Sequence, residues 1–232
     1  QGRTYGNDVN ILRGSSATIY GIFVGSTSSF MRVYNNKVHD INQLSTTSAT
    51  QGIYVSTTST LAQIAVFNNF VWNINVPATG TGIVYGIYVL TSNSAIPDTV
   101  AFNSVYLAGT TTGNRASHAF RKGSATGPVR VYNNILHNVR TDGTTGIAYA
   151  ITKTTAATVV TSDNNNLYVG TPDAQHMTGG AGTTNYSTLA DWRAGNSSDG
   201  LSFSENSPFV SATDLHIQTS VPTQLESGAV SV

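Results

Sequence analysis

An internal repeat of just over thirty residues runs through most of this 232-residue chain. Five short segments superpose without gaps, and the fourth residue of each segment is asparagine. These asparagines are separated by 33, 34, 31 and 31 residues, and they are Asn36, Asn69, Asn103, Asn134 and Asn165. Two positions after each of them stands Val or Leu, followed by an aromatic residue or His. A unit this small cannot bury its own apolar side, so successive units must stack on one another.

A second block recurs in phase with the asparagine segments. Its members are Gly21-Ile-Phe-Val, Gly52-Ile-Tyr-Val, Gly86-Ile-Tyr-Val, His118-Ala-Phe-Arg and Tyr149-Ala-Ile-Thr. Both blocks alternate apolar and polar residues between Ser, Thr, Gly and Asn clusters, as short strands do. If each repeat is one coil, equivalent strands pair in parallel about 4.8 Å apart. A coil of this length suits three strands and three turns, so the repeat predicts an all-β solenoid.

The asparagine column has a physical role in such a coil. Asn tolerates the left-handed backbone of a tight corner, and its side-chain amide can bond the equivalent amide one rung away. Strand alternation then turns the next aliphatic residue inward and the following column outward, namely His39, Trp72, Tyr106, His137 and Tyr168. In the second block, Arg121 and Thr152 share a column with Val24, so we expect that column to face outward. The inward column of that block is then Phe23, Tyr54, Tyr88, Phe120 and Ile151.

With these residues in place, the pattern resembles the right-handed parallel β-helix of the pectate-lyase-like superfold, in which asparagine ladders occupy a tight turn. The resemblance covers roughly residues 15–170. It implies an all-β, right-handed parallel β-helix with about 30–35 residues per coil. We expect the coils to occupy residues 1–170, and residues 171–232 to form the last strands and a C-terminal cap of the same domain.

A narrower resemblance lies in this tail. The segments Asn164–Val169, Thr188–Trp192, Ser207–Val210 and Asp214–Ile217 resemble the ends of uncharacterised secreted and surface proteins of the Bacteroidetes and Ignavibacteria type. The chain departs from that pattern at Ser207, where Asp is usual, and it stops before any sorting region, as a fragment or processed product would. Ser187 as N-cap and Gly195 as terminator predict one short helix in the cap.

Composition excludes several classes of function. Charged residues make up 9% of the chain, with 11 basic against 11 acidic, so a nucleic-acid-coating protein is excluded. Cysteine is absent, which excludes thiol nucleophiles and zinc–thiolate sites. No apolar run reaches the roughly 20 residues that span a bilayer, so we expect no membrane span. The composition favours a bacterial extracellular or cell-surface location.

Catalytic and metal-binding constellations are not apparent in the sequence. The acids Asp40, Asp98, Asp142 and Asp163 fall in different columns, which does not fit a pair of carboxylates facing one sugar bond. His39 and His137 share a column but lie three rungs apart, or about 14 Å, too far for a common ion. We therefore expect no catalytic residues, metal or cofactor.

Two groups of residues are candidates for binding. The outward column that contains His39 and Trp72 could stack against sugar rings, but neighbouring rings also stabilise a sheet by stacking on each other. A basic cluster, which could attract an acidic glycan or orient association of copies, could equally be a solvated face. It includes Arg115, Arg121, Lys122 and Arg130.

These observations favour a non-catalytic extracellular module, with a surface, adhesive or filament-forming role and glycan binding as one form of it. Its partners would be a polysaccharide or further copies of the chain, stacked end to end. The alternative is a lyase or hydrolase acting on an acidic polysaccharide, an analogy based on fold alone. That alternative requires the four basic residues above to converge in one groove beside a carboxylate or ion.

Overall fold

The computed structural model describes residues 2–10, 12–25, 30–59, 62–92, 96–124, 126–226 and 229–230. The fold is an all-β parallel solenoid of about 5 turns with one short helix near its C-terminus, as the repeat predicts. Each complete coil contains four strands rather than three, because a short third strand lies in the long loop before the last one. The strands are parallel to their equivalents one coil away throughout the stack.

The strands follow one another coil by coil. The first two coils contain β1 (Gly2–Tyr5), β2 (Asp8–Val9), β3 (Arg13–Gly14), β4 (Ile19–Gly25), β5 (Phe30–Tyr34), β6 (Lys37–Val38), β7 (Ile41–Gln43) and β8 (Thr50–Thr57). The next two contain β9 (Gln63–Phe67), β10 (Phe70–Trp72), β11 (Ile74–Asn75), β12 (Val84–Thr91), β13 (Asp98–Ala101), β14 (Ser104–Leu107), β15 (Thr110–Thr111) and β16 (Ser117–Lys122). The last contain β17 (Val129–Tyr132), β18 (Ile135–Asn138), β19 (Thr141–Asp142), β20 (Ala148–Lys153), β21 (Val160–Asp163), β22 (Asn166–Tyr168) and β23 (His176–Ala181).

Three long sheets enclose the core. They have the orders β1-β5-β9-β13-β17-β21, β2-β6-β10-β14-β18-β22 and β4-β8-β12-β16-β20-β23, the last extended by the antiparallel strand β24 (Thr184–Tyr186). Columns of aliphatic residues point inward from each sheet. The column Val38, Val71, Val105, Leu136 and Leu167 is fully buried, which confirms the inward direction predicted for it.

The asparagine ladder is present and is longer than predicted. Each ladder side chain donates its Nδ2 to the Oδ1 of the next, at 2.8 Å for Asn36 to Asn69 and 2.9 Å for Asn69 to Asn103. The ladder continues through Asn134 to Asn165, and Asn7 extends it by one rung in the first coil. The predicted left-handed backbone belongs to the preceding residue instead, namely Asn35, Asn68, Phe102, Asn133 and Asn164. The ladder amides therefore point into the protein, where each also bonds backbone carbonyls.

The predicted orientation of the second block is wrong. Ile22, Val24, Val55 and Val89 are buried, whereas Phe23 is 59% exposed. The prediction aligned the fourth and fifth coils one residue out of register with the earlier coils. In the structure, Arg121 pairs with Tyr88, and Lys122 pairs with Val89. Phe120 and Ile151 are buried as expected, but in the column of Ile22, Ile53 and Ile87 rather than with the rings.

The glycines of this block are needed for close packing. A Cβ placed on Gly52 would lie 2.5 Å from Val71 Cγ1 and 2.6 Å from the Gly86 carbonyl oxygen. Only a very small residue fits there, and Ala119 occupies the equivalent place in the fourth coil. The register of the strands follows this column of small residues. It does not follow the alignment of Gly86 with His118 that the sequence suggested.

The tail closes the C-terminal end and then returns along one side. Helix α1 (Leu189–Asn196) buries Trp192 against the last coil, and its N-cap is Thr188 rather than Ser187 because Thr188 and Asp191 form a capping box. Gly195 lies inside the helix, which ends at the left-handed Ser197. A hairpin of β25 (Phe209–Ser211) and β26 (Asp214–Ile217) then crosses the outer face of the second long sheet, and a 3₁₀ turn follows (Gln224–Glu226).

Candidate functional site: an exposed aromatic face

The outward column predicted as a binding stripe is mostly covered by the tail. Trp72 is only 5% exposed and His137 only 3%, because the β25–β26 hairpin lies over the column. Phe209 packs on Tyr106 and His137, with ring centroids 5.7 and 5.9 Å apart. Burial lowers the pKa of His137 to about 4, so this imidazole is neutral at physiological pH. The column stabilises the hairpin contact, and any use of it in binding stays a prediction.

A small cleft remains at one end of the hairpin. Its volume is about 220 Å³, and its walls include Asp8, His39, Trp72 and Asp214. His39 stacks on Trp72 at 4.1 Å, and its ring nitrogens contact Asp8 Oδ1 at 2.8 Å and Asp40 Oδ2 at 2.9 Å. Within the described ranges, no three His, Asp or Glu side chains are grouped so that they could hold a metal ion.

A second aromatic surface, which the sequence interpretation placed inside the protein, lies on the outer face of β4, β8 and β12. Tyr20, Phe23 and Tyr54 form a cluster in which the ring centroids are 5.1–5.5 Å apart. Tyr88 continues it at 5.2 Å from Tyr54, and Tyr85 stacks on Tyr88 at 4.6 Å. Tyr20 and Phe23 are 38% and 59% exposed, Tyr54 and Tyr88 are half-buried, and Tyr85 is buried at 7%, so this surface is most open to solvent on β4. We call these five residues the aromatic face.

The aromatic face continues into a polar region on β16 and β20. His118 stacks between Tyr85 and Tyr149, at 5.2 and 5.1 Å, and its Nδ1 lies 3.0 Å from Thr152 Oγ1. Burial, with a further contribution from Arg121, lowers the pKa of His118 well below its usual value. Arg121 occupies the place in the column that Tyr54 and Tyr88 occupy in earlier coils.

Burial also shapes the chemistry of the tyrosines here. It raises the pKa of Tyr85, Tyr88 and Tyr149, while the positive charge of Arg121 acts in the opposite direction on each of them. These phenols are consequently protonated at neutral pH and act as hydrogen-bonding rings rather than bases. The Tyr149 hydroxyl donates to Asn185 Oδ1 at 2.8 Å.

The four basic residues predicted to share a groove are dispersed. Arg115 is buried and forms an ion pair with Asp142. The Asp142 carboxylate also accepts two hydrogen bonds from Arg140, at 3.0 Å each. Lys122 is fully buried in the inward valine column, where it donates to oxygens of Thr91 and Thr126. Arg130 is exposed on β17 and Arg121 lies beside the aromatic face. These four residues therefore do not converge in the single groove that the enzyme alternative requires, because strand alternation and the corners of the coils direct their side chains differently.

Buried Lys122 is an unexpected feature of the core. Burial lowers its pKa to about 8, although nearby Asp98 opposes the shift. Burial in turn raises the pKa of Asp98, whose Oδ1 accepts from the Ile64 amide at 2.7 Å. A lysine is tolerated in this column because loop oxygens take the place of water around its ammonium group.

Comparison with known proteins adds no family assignment. No family model, curated protein or solved structure matches the chain. No helix in the described part of the chain has the length and apolar character needed to cross a membrane. The interpretation of function accordingly depends on the surface itself.

Sequence reasoning missed the aromatic face although its residues are visible in the repeat. Tyr20-Gly-Ile-Phe-Val and Tyr85-Gly-Ile-Tyr-Val each have a ring on either side of the Gly-Ile pair, whereas Gln51 takes the place of the first ring in the coil between them. Both rings face outward, because the crowded glycine interrupts the simple alternation of the strand. Aligning the small residues Gly86 and Ala119, instead of Gly86 and His118, would have found the face.

Proposed function

We propose that this protein is a non-catalytic, extracellular bacterial surface module that binds glycans through its aromatic face. The observation that carries the proposal is the outward run of rings Phe23, Tyr54 and Tyr88 on β4, β8 and β12, which repeats at the spacing of the coils and is most exposed at Phe23. A pyranose ring presents apolar C–H groups on its faces and hydroxyls at its edge. Tyrosine offers the complementary combination of an apolar ring and a polar rim.

The geometry of the solenoid supports a linear ligand. Ring centroids along the column are 5.5 Å apart from Phe23 to Tyr54 and 5.2 Å apart from Tyr54 to Tyr88. This repeat is similar to the length of one sugar unit in an extended polysaccharide, so successive sugars can meet successive rings. The adjacent hydroxyl and amide groups of Tyr149 and Asn185 are placed to bond sugar hydroxyls.

A non-catalytic role is supported by the lack of convergence of acids and bases on this face. The residues that line the polar end of the face include no carboxylate. Adhesion through a rigid, repetitive rod fits this arrangement, since binding needs only a flat surface whereas glycoside hydrolysis needs two positioned carboxylates. End-to-end association of copies remains a prediction from the sequence.

The proposal is tested by glycan-array screening followed by calorimetry with the strongest glycan. We expect Tyr54→Ala and Tyr88→Ala each to weaken binding about tenfold, since each removes one stacking ring. Tyr132→Ala is the matched control, because Tyr132 is half-buried like Tyr54 and Tyr88 but lies on the first long sheet, away from the aromatic face. No binding by the wild type, or equal losses in all three variants, would contradict the proposal.

A further inference from the structure

Arg121 is the one member of the outer column that replaces a ring with a charge. In the preceding coils, this column contains Phe23, Tyr54 and Tyr88, and Thr152 follows it. The guanidinium hydrogen-bonds Tyr88 and acts electrostatically on Tyr85, Tyr149 and His118, so it lies among all four side chains. This cation lies at the end of the aromatic face, next to the rings on which we propose that the glycan binds.

The charge of Arg121 is not neutralised by the protein. In the part of the chain that the structure describes, Arg121 forms no ion pair with a carboxylate. Its Nε is shielded from water and has no hydrogen-bond acceptor. A ligand cannot reach Nε either, so an acceptor brought by a ligand must bond the terminal nitrogens of the guanidinium.

A cleft of about 220 Å³ lies directly beside this guanidinium. Its lining contains one outward-facing cation, Arg121, together with neutral groups of His118, Tyr149 and Asn185. Lys153 also borders the cleft, but it belongs to the inward column of Lys122 and its Nζ donates to the Ala156 carbonyl at 3.0 Å. The base of the cleft is open because Gly180, which follows Thr152 in the column, has no side chain. A Cβ at Gly180 would lie 3.0 Å from the Tyr149 ring.

We propose that this cleft is a subsite for an anionic substituent of the glycan, a carboxylate or a sulfate, held by Arg121. The inference rests on the proposed glycan-binding function and specifies which glycans bind. Arg121 presents its planar donors to two oxygens of one anion, while the preceding sugars stack on Tyr88 and Tyr54. A neutral sugar at this position would leave the guanidinium unpaired.

The experiment compares three hexasaccharides with the same backbone: β-1,4-mannan, β-1,4-mannuronate and 6-sulfated mannan. Their affinities for the wild type and for Arg121→Gln, Arg121→Lys and Arg130→Gln are measured by calorimetry at low and high salt. We expect Arg121→Gln to weaken the two anionic probes about tenfold and to leave the mannan within about twofold, as for one charge-assisted pair. Arg121→Lys should retain part of the preference, and salt should weaken only the anionic probes.

The Arg130→Gln control removes an exposed arginine from another sheet, and it should leave all three affinities unchanged. Carboxylate and sulfate are distinguished by which of the two anionic probes loses more affinity in Arg121→Gln. Equal wild-type affinity for neutral and anionic probes, or an equal loss for all three in Arg121→Gln, overturns the anion subsite while leaving glycan binding intact. A wild type that binds none of the probes or glycan-array ligands overturns both proposals.

Discussion

Two outward aromatic columns of this protein, on the second and third long sheets, differ in whether the rest of the chain covers them. The column on the second long sheet contains Trp72 and His137, which are nearly inaccessible beneath the β25–β26 hairpin. The aromatic face on the third long sheet contains Phe23 and Tyr54, and no tail segment covers it within the described residues. An outward aromatic column is thus not by itself a binding surface. It becomes one only where the rest of the chain leaves it open.

The comparison also shows how the two columns are stabilised. The covered column contains mixed rings that meet edge to face, such as His137 with Tyr106 and Tyr168, and it buries apolar surface under Phe209. The exposed face relies on rings packed against one another, with Tyr20, Phe23 and Tyr54 in mutual contact. We therefore expect substitutions in the covered column to affect stability and those in the aromatic face to affect binding.

The largest effect is expected from Trp72→Ala. Removing a ring that is 5% exposed leaves a cavity beneath the hairpin, and the free energy of unfolding should fall by about 4 kcal/mol. Tyr54→Ala on the aromatic face should cost only about 1 kcal/mol, because its ring is already partly in water. Urea denaturation of both variants measures the difference. Equal losses would show that the two columns play the same structural role.

The second effect concerns pH. His137 has a pKa of about 4 in the folded protein, below its ordinary value of about 6.5, so the unfolded chain binds its proton first as pH falls. The stability that His137 contributes is complete above about pH 6.5 and decreases by about 3 kcal/mol on descending to about pH 4.

We expect His137→Phe to flatten this part of the stability curve, measured as the wild type minus the variant by urea denaturation at each pH. The control is His216→Gln, because His216 belongs to the same hairpin but its side chain is 63% exposed. A difference curve that does not change between pH 6.5 and pH 4 would mean that His137 is not shielded as described.

The third and smallest effect is that of Phe209→Ala in the hairpin. Phe209 is half-buried, so its loss should cost about 1.5 kcal/mol. It should also open the hairpin enough to raise the rate of indole hydrogen exchange at Trp72, while Trp192 in the cap stays protected. Val210→Ala, at an exposed neighbour, is the matched control. Protection of Trp72 that survives Phe209→Ala would show that the hairpin does not depend on this contact.

Local repetition made much of the fold predictable. The ladder from Asn36 to Asn165 and the inward column from Val38 to Leu167 could be read from spacing, whereas capping residues indicated the short helix but not its exact ends. The repeat did not show the orientation of Tyr54 or the burial of Lys122, since a one-residue shift in register exchanges the two faces of a strand. Nor did it bring Asp8 and Asp214 to the same cleft, because 206 residues separate them in the chain.

The amino-acid sequence alone determined that this chain stacks in parallel coils, because identical residues at a constant period can satisfy and bury one another only when they lie one above another. Only the tertiary structure decided which surfaces remain open. The path of the tail over one aromatic column, and the crowding at Gly52 and Gly86 that turns the other outward, arise from contacts between distant parts of the chain. Such contacts do not recur at the spacing of the repeat, so the repeat in the sequence cannot predict them.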